Sequence, residues 1–214
     1  MITILGRATS SNVQLVMWAI GELGLEHTRL DYGNVYGGLD TPEFLSMNPH
    51  GKIPVLKDGD LVVWESAAIL RYLLSSYAEG GIWPEDPKAR SQVDMWAEWG
   101  KNELCNAFTV PIFWPRVRTA AVVRDDAALD QAVARFNGYM ALLDQQLTGK
   151  TFVCGKVFTA ADIVIGHLLY RWFTIDVARD PHPQVEAYYA RLSERPAYRE
   201  HVMVSYDSLR AEGA

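Results

Sequence analysis

Ile2 to Leu5 form a short, mainly apolar run suited to a buried strand. The apolar positions that follow, Val13, Val16, Met17, Ile20 and Leu23, recur at intervals of three and four, which predicts one face of a helix ending near Gly24. His27 to Tyr32 alternates as a second strand, and a strand–helix–strand unit implies parallel strands with a right-handed crossover. After a Gly-rich loop, Thr41 as cap and Pro42 in the first helical position start a short helix. The stretch "IPVLKDGDLVVW" predicts two short strands about Asp58-Gly59. "ESAAILRYLLSSY" then reads as a helix buried on Ala68, Ile69, Tyr72 and Leu73. A tight hairpin forces antiparallel pairing, so the sheet must be mixed.

The cluster "AEGGIWPEDP" reads as a linker, and everything beyond it is patterned as helix. A long aromatic-rich helix is expected from Lys88 to about Phe113. Asp126 to Gln146 carries Leu129, Val133, Phe136, Met140, Leu143 and Leu147 on one stripe, closed by Gly149. "FTAADIVIGHLLY" opens on Thr159 with Asp162 three residues on, a capping box with Asp in place of the usual Glu. Shorter helices are expected near Pro183 to Leu192 and Ala197 to His201, and the tail "SLRAEGA" is expected to fray. The fold class is therefore α/β plus all-α: a βαβ–ββα mixed-sheet domain over 1–78, a linker over 79–87 and an all-helical domain over 88–214.

Composition removes several function classes. With 214 residues and 49% hydrophobic content the chain can bury a full core. Lys and Arg number 20 against 26 Asp and Glu, a net charge of -6 without a basic cluster, which argues against a nucleic-acid partner. The apolar start is too short for a signal peptide and no stretch is long enough to span a membrane, so a cytoplasmic protein without a membrane partner is expected. Cys105 and Cys154 lie far apart without a CxxC, which supports neither a metal site nor a dithiol pair and reads as two free, buried thiols.

Three stretches carry candidate chemistry. "GRATSSN" ends a strand and opens a helix, so Ser10, Ser11 and Asn12 either cap that helix or offer donors, beside its positive end, to an anion. No GxSxG elbow is present, so these serines are not read as nucleophiles. "NPHGKIPVL" places Pro54 at the start of a strand, where a cis Ile53-Pro54 bond would expose the Ile53 backbone to an extended peptide. His50 and Lys52 flank it as carboxylate partners or as plain solvated loop residues. "WESAAIL" sets Glu65 and Ser66 at a helix entrance, suited to the ammonium and carboxylate of an amino acid, or else to capping alone.

Taken together, "SSN" at a strand-to-helix corner, "NPHGKIPVL", "WESAAILRYL" and a helical half carrying "FTAADIVIG" resemble a cytosolic glutathione transferase, nearest to the theta-like and zeta-like serine classes. The resemblance implies a thioredoxin-like N-terminal domain with Ile53-Pro54 cis and glutathione, as co-substrate, along its edge. Ile53 would pair with the cysteinyl backbone, Glu65 and Ser66 would hold the γ-glutamyl end, and Lys52 with His50 would stand near the glycyl carboxylate. Counted from Val16, the catalytic hydroxyl falls on Ser10, with Ser11 and Asn12 next in line. A hydrophobic electrophile would sit between the halves against Phe108, Phe113, Trp114 and Arg116, with no metal. The resemblance further implies a homodimer. It also leaves open a glutathione-dependent isomerase or dehalogenase, or a non-catalytic binding or assembly module of the same fold. Asp162 would serve folding, and its loss would cost about 1 kcal/mol or more.

Overall fold

A computed structural model describes residues 1–213. Its elements, in chain order, are β1 Ile2–Leu5, α1 Ser11–Glu22, β2 His27–Leu30, α2 Pro42–Met47, β3 Val55–Asp58, β4 Leu61–Trp64, α3 Ser66–Tyr77, α4 Pro87–Trp99, α5 Cys105–Phe108, α6 Asp126–Leu147, α7 Ala160–Gly166, α8 Leu169–Thr174, α9 Pro183–Ser193 and α10 Pro196–His201. By contacts the chain divides into two units. The first joins Met1–Glu79 with Pro196–Val204, and the second joins Gly80–Arg195 with the residues from Ser205 on.

In the first unit the strands lie in the order β2-β1-β3-β4, with β1 parallel to β2 and antiparallel to β3, and β3 antiparallel to β4. The mixed sheet expected from the hairpin is thus present. The hairpin loop is Gly59-Asp60, one residue later than expected, because Gly59 supplies the positive φ of 58° that its first central position requires. β2 stops at Leu30, two residues short of Tyr32, which instead stacks on Phe44 of α2 with ring centroids 5.4 Å apart. Helix α1 is buried on nearly every side, through Val13, Leu15, Val16, Trp18 and Ile20, and ends at Gly24 with φ 63°. There the Leu25 amide bonds back to the Ile20 carbonyl and the Gly24 amide to that of Gly21, the paired bonds of a left-handed helix stop.

Helix α3 buries Ile69, Leu70, Leu73 and Leu74. Ala68 is exposed and Tyr72 only half-buried, so the apolar face lies one residue further on than expected. The reason is that Leu70 and Leu74 offer more area to bury than Ala68, while the Tyr72 hydroxyl is drawn outward to Asp58 Oδ2 at 2.8 Å. The segment Pro196–Val204, sequence-distant, packs on α1: Trp18 meets Tyr198 at 4.7 Å between ring centroids. A Cβ on Gly21 would fall 2.9 Å from the Ala197 Cβ, so that approach requires glycine.

The second unit is built of helices, with one isolated antiparallel bridge between Phe152 and Gly155. Asp86 and Asp125 cap α4 and α6 by accepting the Ala89 and Ala128 amides at 2.8 and 2.9 Å. The single long helix expected from Lys88 to Phe113 is interrupted by π-helical turns over Gly100–Leu104 and Thr109–Arg118. Pro111 and Pro115 lack the N–H that an α-helix needs, and Gly100 lets the chain approach α7, where a Cβ would stand 2.8 Å from Ile165 Cγ1. "FTAADIVIGHLLY" likewise breaks: α7 ends at Gly166, and α8, absent from the sequence reading, starts at Leu169. The break is held by His167, whose Nδ1 lies 2.6 Å from the Val164 carbonyl oxygen.

Asp162 is fully buried and closes the expected capping box. Its Oδ2 accepts from the Thr159 amide and hydroxyl at 2.8 and 3.1 Å, and its Oδ1 from the Val153 amide and Tyr188 hydroxyl at 2.9 and 2.8 Å. Burial pushes the carboxyl pKa up, and those four donors oppose the shift. The tail does not fray as expected: Leu209 is buried and the Ala211 amide bonds the Val117 carbonyl at 2.9 Å, while the final residue, 214, lies outside the described residues. Both cysteines are free, but only Cys105 is buried; Cys154 is partly exposed, contrary to expectation.

Candidate active site

The strand registers bring the three candidate stretches to one end of the sheet. Leu5 pairs with Val55 and Val55 with Trp64, in one row across three strands. The next residues outward are Gly6, Pro54 and Glu65, which lead directly into "GRATSSN", back into "HGKIP" and into α3. Stretches up to 54 residues apart in sequence therefore meet, and the Ser66 hydroxyl donates to Asn12 Oδ1 at 3.3 Å.

Gly6 is the hinge of the corner. Its φ is 152°, and a Cβ there would fall 2.5 Å from Val13 Cγ2 and 3.2 Å from the Ile53 Cβ, so only glycine lets β1 turn into α1 beside Ile53. The turn closes where the Ser10 amide bonds the Arg7 carbonyl at 3.1 Å. Ser10 is the N-cap residue, with φ -89° and ψ 124°, yet its side chain caps nothing and the first turn holds no acid. Among the described residues neither the Ser10 nor the Ser11 hydroxyl makes a hydrogen bond. Plain capping, the alternative left open by the sequence, is therefore not what these hydroxyls do. The corner keeps its positive dipole end and two uncommitted donors, the arrangement that stabilises an anion.

The Ile53-Pro54 bond is cis, as the resemblance implied. The loop before it is shaped by Asn48, 3% exposed, whose Oδ1 accepts from the His50 amide at 3.0 Å and whose Nδ2 donates to the Lys52 carbonyl at 2.7 Å. Gly51 takes φ 58° in that loop, where a Cβ would press on the Leu39 carbonyl oxygen at 3.1 Å. His50 packs beside Trp64 with ring centroids 5.2 Å apart, and Lys52 is exposed.

Ser66 is the first residue of α3 and buried, and Glu65 before it is exposed with φ 70° and ψ 116°. That region costs a non-glycine residue on the order of 1–3 kcal/mol and is tolerated where surroundings impose it. Glu65 caps nothing, and no acid follows in the first turn, so the positive end of the α3 dipole is not offset by a side-chain carboxylate. The Gly6 and Asn48 contributions escaped the sequence reading; a glycine between a strand and a helix start was the one signal of the first.

The four electrophile candidates do not share one setting. Phe108 and Phe113, each 1% exposed, lie among Phe136, Trp172 and Tyr206 in the helical unit's aromatic core. Arg116 is engaged by Asp176, with Nη2 2.5 Å from Oδ2. Trp114 alone of the aromatics is offered outward, 44% exposed, with the Arg118 guanidinium over its ring at 4.9 Å. His167 is a neutral core residue: burial pushes its pKa down to about 3, and its Nε2 lies 3.9 Å from the Cys105 thiol. Among the described residues no cluster of His, Cys, Asp or Glu could hold a metal ion.

A four-stranded mixed sheet with three candidate stretches at one end, followed by a helical unit, is a thioredoxin-like domain joined to a helical one. Residues 2–75 match the model of the glutathione S-transferase N-terminal domain, and residues 126–191 that of its C-terminal domain. The chain is 36% identical over 206 residues to glutathione S-transferase GstB of Escherichia coli strain K12, covering 95% of this chain and 99% of that one. It superposes on the theta class glutathione S-transferase of Xanthomonas axonopodis pv. citri, solved with glutathione bound, with a TM-score of 0.91 and 38% identity over 95% and 98% of the two chains. Glutathione S-transferase D7 of Drosophila melanogaster is 33% identical, over 81% of this chain and 75% of its own. The chain belongs to the glutathione S-transferase family.

Proposed function

We propose that the protein is a glutathione transferase that binds glutathione at the shared end of β1, β3 and β4, holds its sulfur as a thiolate and adds it to an electrophilic small molecule. The observation that carries this reading is the row Leu5–Val55–Trp64, which assembles all three stretches at one edge. Ile53 would pair with the tripeptide backbone. Glu65 and Ser66 would hold the γ-glutamyl end, where the positive end of the α3 dipole suits a carboxylate. Lys52 and His50 would meet the glycyl carboxylate.

A free thiol with pKa near about 8.5 is only a few per cent thiolate at neutral pH. Each unit of lowering represents about 1.36 kcal/mol in favour of the anion. Ser10 carries the sulfur contact in this account and Ser11 stands beside it. Asn12 stands next in line: its Oδ1 accepts from Ser66, so any contact with the sulfur falls to its Nδ2 donor. A donated hydroxyl bond together with the helix terminus lowers the thiol pKa by about one to two units.

For the electrophile, Trp114, with the Arg118 guanidinium over its ring, is the apolar candidate offered outward, while Phe108 and Phe113 lie in the helical core. The protein acts as a cytoplasmic homodimer in this reading, in keeping with the family; among the described residues no helix is long and apolar enough to cross a membrane. Calorimetric titration with glutathione tests the proposal: saturable binding, lost or weakened in Glu65→Ala and Ser66→Ala, is expected, and no binding at millimolar glutathione would overturn it.

A further inference from the structure

Gln14 is 1% exposed, one of the few polar side chains buried in the first unit. It sits in the first turn of α1, a place where a buried amide needs partners on the protein itself. Both its ends are tied to the segment just before the helix. Its backbone amide donates to the Ser10 carbonyl at 2.8 Å, and its side-chain Nε2 reaches back to the Ala8 carbonyl at 3.0 Å. With the Ser10 amide on the Arg7 carbonyl at 3.1 Å, these bonds fix the turn at the carbonyls of Arg7, Ala8 and Ser10. The hydroxyls of Ser10 and Ser11, by contrast, make no bond of their own among the described residues, so their direction depends on the backbone that carries them.

We propose that Gln14 is a positioning residue for thiolate stabilisation: its clamp on the Ala8 carbonyl sets the turn that aims the Ser10 and Ser11 hydroxyls at the sulfur. The inference rests on the reading of this corner as the glutathione thiol site. Ser10 is the N-cap, half outside the helix, so helical bonding alone leaves its upstream neighbours free to rotate. The Nε2 bond to Ala8 crosses six residues and closes that gap. A hydroxyl that swings by even one ångström loses a hydrogen bond to sulfur, because such bonds weaken steeply with angle and length.

Two variants of similar size remove the donor. Gln14→Glu places an acceptor against the Ala8 carbonyl, and Gln14→Met places an apolar group there. In each, the pKa of the bound glutathione thiol is read from thiolate ultraviolet absorbance, the glutathione Kd by calorimetry and folding by thermal melting. The expected result is a thiol pKa raised by about one unit, with Kd within about threefold of wild type. A folded variant whose thiol titrates as in wild type overturns the positioning role, as does loss of folding in both variants, which would make Gln14 a support of the fold alone. A wild-type complex whose thiol titrates like the free tripeptide overturns the site reading instead, and the role of Gln14 with it.

Discussion

Asp162→Ala tests how the helical unit is held. A helix cap alone is worth about 1 kcal/mol. The structure gives this carboxylate more to do: it accepts from four donors, of which the Thr159 amide and hydroxyl belong to the cap, while the Val153 amide and the Tyr188 hydroxyl come from a preceding loop and from α9. Truncation leaves all four without this acceptor in a site with no solvent access. An unsatisfied buried donor costs about 1–3 kcal/mol, and relief from burying a carboxylate offsets part of the sum. A net loss of about 3–4 kcal/mol follows, three times the cap value, or a fall in Tm of roughly 6–16 °C at about 2–4 °C per kcal/mol for a chain of this size. Urea unfolding followed by tryptophan fluorescence measures it, with Asp162→Asn, which keeps one oxygen acceptor, falling between. A loss of 1 kcal/mol or less would show that the Val153 and Tyr188 bonds contribute nothing, and a folded variant unable to bind glutathione would refute a purely structural role.

Other expectations follow from the same structure. His167 is buried with its pKa pushed down to about 3 from 6.5, so the unfolded chain binds the proton first and stability falls as pH drops below 6.5. At pH about 5 the loss is about 2 kcal/mol, and urea midpoints for wild type and His167→Gln should diverge as the pH rises from 5 to 7, with parallel curves refuting the assignment. His201 is shifted the same way by burial and adds to the slope, so His201→Gln serves as the control. Glu65→Gly relieves a non-glycine φ of 70° and should leave stability unchanged or raise it by about 1 kcal/mol, while weakening glutathione binding at least tenfold. Equal binding by this variant would remove Glu65 from the site.

The sequence displayed what depends on short-range pattern. Alternation and helical spacing located β1, α1, the β3–β4 hairpin and α6, and the Thr159 and Asp162 spacing announced the capping box, because each is decided by residues within one or two turns. Interruptions were not read: Pro111 stands inside the stretch taken as one helix, and the first widening, at Gly100–Leu104, is where Gly100 packs on Ile165. The return of Pro196–Val204 to the first unit was invisible, since small contacts such as Gly21 on Ala197 leave no periodic trace. At the site, the residues expected to touch glutathione stood in recognisable strings. Those that hold the strings in place, Gly6, Gln14 and Asn48, act through backbone carbonyls and tight approaches that only coordinates display.

The central claim concerns a proton. The most direct measurement is the pKa of the glutathione thiol in the complex, followed by thiolate absorbance in wild type, Ser10→Ala and Ser11→Ala. The account predicts a value about one to two units below the free thiol in wild type, and a return of about one unit or more when the contacting hydroxyl is removed. A bound thiol that titrates alike in all three proteins would contradict it.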